Sequence, residues 1–225
     1  MAKNVDSGDR TLRLFEDTLA PGAACALPAR PRVLYVRAGD LEVRADGPAA
    51  RVAADAAWHA AGACAVTAGP AGATVLRYEL AGGAADGAAA GAGVASRLLL
   101  EHAIALDPAA PYLMRCDRVD FAPGGVALPH GHRGGGIRCL LAGTLDVSVG
   151  EAAPRRMTPG SAWFESGREP VRAVASTETP TSFVRVAILP RELRGRSSIV
   201  YVNPADAARG RPRRYTVFVD EPVEL

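Results

Sequence analysis

The chain has 225 residues, of which 48% are hydrophobic but only 5% aromatic, and its 26 basic and 24 acidic residues leave a formal charge of +2. That length supports one large or two small domains with a substantial core and excludes a stapled miniprotein. So small a net charge provides no field strong enough to argue for nucleic acid or an anionic membrane as a partner. Cys25, Cys64, Cys116 and Cys139 lie far apart with no C-x-x-C pair, and no apolar leader follows Met1. Reduced thiols and a cytoplasmic location are expected. No apolar run approaches the roughly 20 residues that span a bilayer.

Taken in chain order, residues 1–80 read as short β-branched and aliphatic runs broken by Gly, Pro and Asp, as in VLYVRAGDLEVRADG. That punctuation predicts strands, and Gly39, like Gly143 further on, is predicted to take the positive φ of a hairpin turn. Residues 81–96 are almost all Ala and Gly and read as a linker. Residues 97–190 repeat the pattern of the first unit. Arg97 to Asp107 is compatible with a strand or a short helix, and the landmarks that follow recur at nearly constant offsets. Pro21 to Pro123 is 102 residues, Gly39 to Gly143 is 104, and Trp58 to Trp163 is 105. An internal duplication into two all-β units follows. Residues 191–225 form a tail ending in the strand-like RYTVFVDEPV, placed either at a sheet edge or across a partner subunit, which makes a homodimer the expected assembly.

The second unit contains Gly124, five residues, His130-Gly131-His132, three residues, Gly136, six residues and Gly143. On a strand, residues two apart project to one face, so both imidazoles can reach one ion. Here the chain resembles the cupin superfamily, whose first motif is G-x5-H-x-H-x3/4-E-x6-G, and, with both units counted, a bicupin. The match with GGGIRCLLAGTL, PGSAWFESG and ILPRELRGRSSIVYVNP also resembles a group of bacterial bicupins of unsettled activity. The resemblance implies two jelly-roll (double-stranded β-helix) barrels and a divalent metal, Fe, Mn, Ni, Co or Zn, in the second.

Two departures stand out. Gly136 occupies the family's Glu position, and the second motif maps onto Gly160, Glu165, Gly167 and Pro170, so that Pro170 replaces the third histidine. Glu165 is the nearest substitute, and His130, His132 and Glu165 would make a two-histidine, one-carboxylate set with open positions. Glu169, and Glu101 with His102, are weaker alternatives. Arg138 alternates onto the face of residue 136, where it either pairs with Glu165 or holds a substrate carboxylate through its planar fork. Trp163 shares a strand face with Glu165 and lines the same cavity or the core. Cys139 faces the other way, as a small core residue. The first unit places Ala26, Pro28 and Arg32 at the corresponding positions, so it is expected to be structural, and His59 to be a packed residue.

Two functions remain open on this basis. One is a metal-dependent enzyme of the dioxygenase, isomerase or decarboxylase type acting on a small organic acid. The other is a non-catalytic binding or sensor protein with a degenerate metal site. A purely structural dimer would show instead a narrow, dry barrel.

Overall fold

In the computed structural model, residues 9–82, 87–209 and 213–225 are described. The chain forms two compact units, the second spanning Tyr112–Pro222 and the first formed by the residues before it together with Val223–Leu225. It is nearly all β, with 63% strand and 4% helix, as the residue pattern predicts.

The N-terminal unit is built from β1 (Asp9–Leu19), β2 (Ala24–Leu27), β3 (Arg32–Arg44), β4 (Ala50–Ala53), β5 (Ala56–Ala60), β6 (Cys64–Gly82) and β7 (Val94–Ala105). They form one antiparallel sheet in the order β4-β3-β6-β1-β7, with β2 on β6 and β5 on β3. Its core is aliphatic, with Leu34, Val36, Leu41, Val43, Val66 and Val75 buried against one another and Trp58 against them. This is the ring-poor packing that the composition requires.

The expected linker is shorter at both ends, because β6 runs to Gly82 and β7 begins at Val94; residues 83–86 lie outside the described residues. The segment left between strand and helix is therefore a strand, and it continues the first sheet. Its residues pair with β1 from Asp9–Ala105 to Leu19–Val94, satisfying backbone groups that β1 would otherwise leave open.

The C-terminal unit comprises β8 (Tyr112–Phe121), β9 (Val126–His132), β10 (Gly136–Ala142), β11 (Leu145–Val149), β12 (Arg155–Met157), β13 (Ala162–Glu165), β14 (Val171–Ala175), β15 (Thr181–Pro190), β16 (Ile199–Tyr201) and β17 (Arg213–Val223). Two five-stranded sheets result, β13-β10-β15-β8-β17 and β12-β11-β14-β9-β16. The tail thus contributes an edge strand to each sheet. Between them Val119, Phe121, Leu140, Leu145, Val147 and Trp163 form the core.

The duplication is visible in the strand register. Leu34 on β3 lies between Trp58 and Arg77, and Arg138 on β10 lies between Trp163 and Arg185. One residue pair further along, Arg32 faces Ala60 and Glu79 where Gly136 faces Glu165 and Ala187.

The hairpin expectation needs correcting at both glycines. Each does take a positive φ, +74° at Gly39 and +72° at Gly143. Gly39, however, is a bulge inside β3, and Gly143 turns a corner from β10 in one sheet to β11 in the other. Closing a two-sheet barrel needs such corners, and the chain approaches so closely that a Cβ on Gly143 would meet Thr181 Oγ1 at 2.3 Å.

Candidate functional site

The H-x-H segment ends β9, whose alternation turns His130 and His132 inward, 5% and 9% exposed. Their rings are perpendicular, with centroids 4.9 Å apart. Both line a cavity of about 30 Å³, together with Arg138, Trp163, Glu165 and Arg185. A volume of that size admits a water or two.

Glu165 is brought there by β13, whose pairing sets it directly opposite Gly136 on β10. The arginine two residues along β10 reaches it, and Arg138 Nη2 lies 2.7 Å from Glu165 Oε2. Trp163 Nε1 donates to Glu165 Oε1 at 2.8 Å. Of the two roles the sequence leaves open for Arg138, the structure therefore makes the buried ion pair, with a second donation from Nη1 to the Gly136 carbonyl at 2.6 Å. Trp163 is both core and cavity wall: its ring packs edge-on against Phe183 while its N–H serves the carboxylate.

The proton positions follow from these partners. Leu128 O is 2.6 Å from His130 Nδ1 and can only accept, so His130 carries its proton there and leaves Nε2 with a lone pair. His132 Nε2 faces the acceptor-only Glu165 Oε2 at 3.5 Å, so its proton is on Nε2, while Nδ1 faces Ser198 Oγ at 3.5 Å.

Burial pushes His130 down to about 4 and His132 down to about 3, both rings disfavouring a charge in a buried site that already holds arginines. For Glu165, burial alone would raise the carboxyl, but the Arg138 charge, His132 and Trp163 outweigh it and hold it well below the usual carboxylate range.

A metal held by His130, His132 and Glu165 would need a free oxygen on Glu165 and a lone pair on each ring directed at one point. Both Glu165 oxygens are engaged by donors, one of them a guanidinium, and His132 presents N–H rather than a lone pair to the same carboxylate. A divalent ion bound at Glu165 Oε2 would sit against the Arg138 charge, a repulsion of about 4 kcal/mol per unit of ion charge at 4 Å separation in a medium of intermediate dielectric. Among the described residues no three His, Cys, Asp or Glu side chains form a metal-holding group. The three-residue set does not fit a metal as arranged. Nor does Gly136 leave room for the family's Glu, since a Cβ there would lie 2.4 Å from the Val186 carbonyl oxygen. The weaker candidates are elsewhere: Glu169 is exposed, as are Glu101 and His102 on β7 of the other unit.

In the N-terminal unit Arg32 fills the equivalent interior position. It donates to Glu79 Oε1 at 3.1 Å and Gly62 O at 3.0 Å, and also to the Pro28 carbonyl. Arg77 joins Glu79 at 2.9 Å and Asp17 at 2.6 Å. Sequence reasoning misses this network and Arg185, which is bound to Asp117 at 3.0 and 2.5 Å. A signal was present, because TVLRYEL and SFVRVAILP each place charge inside an otherwise apolar strand.

The buried histidines set a pH dependence. Unfolded, each titrates near 6.5; folded, each stays neutral to about 4 or 3, so the unfolded chain takes up the protons first as pH falls. Stability present above pH 6.5 is lost on acidification, by on the order of 2 to 3 kcal/mol per histidine at pH 4.5. Urea midpoints of the C-terminal unit at pH 7 and pH 4.5 should differ accordingly, and His130→Gln/His132→Gln should flatten the decline. A wild-type midpoint unmoved between the two pH values would contradict the buried neutral pair.

No family model matches the chain, and no curated protein matches it. Solved structures do. AerE from Microcystis aeruginosa is similar at 14% identity over 78% of this chain and 87% of that one, with a TM-score of 0.57. A single-residue variant of Bacillus subtilis oxalate decarboxylase aligns at 12% identity over 89% and 74%, TM-score 0.68. The 11S allergen of Cocos nucifera aligns at 9% identity over 89% and 86%, TM-score 0.61. At such identities the likeness shows the fold: two cupin jelly-roll barrels in one chain. Among the described residues no helix is long and apolar enough to cross a membrane.

Proposed function

We propose that this protein is a non-catalytic, small-molecule-binding bicupin in which an arginine–glutamate pair stands where a metal centre would be. One observation carries the reading: Glu165, the carboxylate required to complete a metal set with His130 and His132, has Arg138 at 2.7 Å on one oxygen and Trp163 at 2.8 Å on the other. A guanidinium supplies the positive charge to a buried carboxylate without a metal ion. The likeness to both an oxalate decarboxylase and an 11S allergen supports a scaffold not tied to one activity. The expected ligand is a small organic acid.

Untagged protein analysed by ICP-MS should carry Fe, Mn, Ni, Co and Zn far below one ion per chain. Its thermal stabilisation by an acid ligand should persist after chelation. The second reading, a metal-dependent enzyme, rests on the neutral His130 Nε2 lone pair beside His132. Stoichiometric metal that disappears from His130→Ala/His132→Ala would establish that reading and remove the first.

A further inference from the structure

The C-terminal unit contains a second and larger cavity, of about 330 Å³, within the size range of small-molecule sites. Arg115 and Asp117 on β8, Arg185 on β15 and Tyr215 on β17 form its floor, and the segment Gly195–Ile199 covers it. Arg185 and Tyr215 also line the inner cavity. The two spaces therefore share a wall. Ser198, 3% exposed and part of that covering segment, sits 3.5 Å from His132 Nδ1.

The charges in this wall are selective. Asp117 gives both oxygens to Arg185, and Asp220 gives both to Arg115, at 2.9 and 3.0 Å, and one also to the Gly195 N–H at 2.7 Å. Neither carboxylate keeps an oxygen uncommitted for a cationic ligand. The guanidiniums are in surplus, three against two, because Arg196 is exposed at the rim. Arg185 binds Asp117 through Nε and Nη2, which leaves Nη1 outside that fork. Ile199, Tyr215 and Val217 provide the apolar side, and Val217 is 54% exposed on its edge strand.

We infer that this chamber, rather than the histidine cavity, is the ligand site, and that it takes a small monocarboxylic acid with an apolar body. The carboxylate lies toward Arg185 and Arg196, and the body lies on Ile199, Tyr215 and Val217. The inference deepens the proposed function and rests on it: the inner cavity is too small for more than water, and the chamber places a ligand one side chain away from His132 and Arg138.

The test is isothermal titration of the full chain with phenylacetate, isovalerate and the neutral phenylacetamide. Wild type should bind phenylacetate, and the amide about tenfold or more weaker, as expected for loss of a charge-assisted hydrogen bond. Val217→Trp fills the chamber from its exposed wall and should abolish binding with the melting temperature unchanged. Arg196→Ala should weaken the acids and leave the amide unaffected. Ile199→Trp repeats the block from the covering segment should Val217→Trp perturb folding. Acid binding that survives both Trp variants places the ligand elsewhere and overturns the site while sparing the proposed function. A wild type that binds neither acid removes the proposed function itself, and the site with it.

Discussion

Glu79→Gln is expected to destabilise the N-terminal unit by about 3 to 5 kcal/mol, the cost of stranding a buried charge. Glu79 is fully buried and touches three guanidiniums: Arg32 at 3.1 Å and Arg77 at 2.9 Å, 0% and 1% exposed in side chain, and the less buried Arg30 at 3.3 Å. Asp17 is committed to Arg77 by a two-point contact and to the Ser96 hydroxyl, so it cannot serve Arg32 as well. Neutralising Glu79 leaves two buried cations with one anion. The partner change is diagnostic. Because Arg32 and Glu79 are directly paired across β3 and β6, Arg32→Leu/Glu79→Leu should lose less than Glu79→Gln alone. The two tryptophans lie one in each unit, so urea unfolding in a Trp163→Phe background reports Trp58 and this unit alone. A Glu79→Gln midpoint equal to the parent's would show that the network contributes nothing.

The second large effect is expected at Glu165→Gln, again about 3 to 5 kcal/mol, now in the C-terminal unit and read from Trp163 in a Trp58→Phe background. The amide oxygen still accepts from Trp163, but Arg138, 1% exposed, loses its counter-charge. The carbonyl oxygens of Gly136 and Glu165 remain near its Nη1 at 2.6 and 3.5 Å, and they carry only partial charge. Arg138→Met/Glu165→Gln should recover much of the loss. Were Glu165 a metal ligand instead, the single substitution would change bound metal and Arg138→Met would not rescue it, so the same pair of variants also separates the two functional readings.

Much of the site was legible in residue order. His130, His132, Glu165, Arg138 and Trp163 do line one cavity. Strand alternation is a local rule: residues two apart share a face whatever the rest of the chain does, and that places the histidines together and Arg138 with residue 136. What alternation cannot supply is distance across strands. Whether Arg138 would meet Glu165 or a ligand depended on the β10–β13 register, in which Gly136 faces Glu165. The two-histidine, one-carboxylate metal set follows from alternation without that register, and so it includes a carboxylate that the arginine already holds. The pairing of Arg185 is hidden for a related reason, since its partner Asp117 lies 68 residues earlier in the chain.

The sequence by itself determined the all-β class, the duplication and the identity of the histidine strand. Period-2 patterning, turn residues and repeated landmarks are local properties, preserved in any fold the chain adopts. Only the tertiary structure decided where Gly39 and Gly143 bend the chain, which sheet β7 joins, and that each barrel interior is closed by arginine–carboxylate pairs. Those depend on which distant strands become neighbours, and a buried charge is tolerable only where that neighbour brings its opposite.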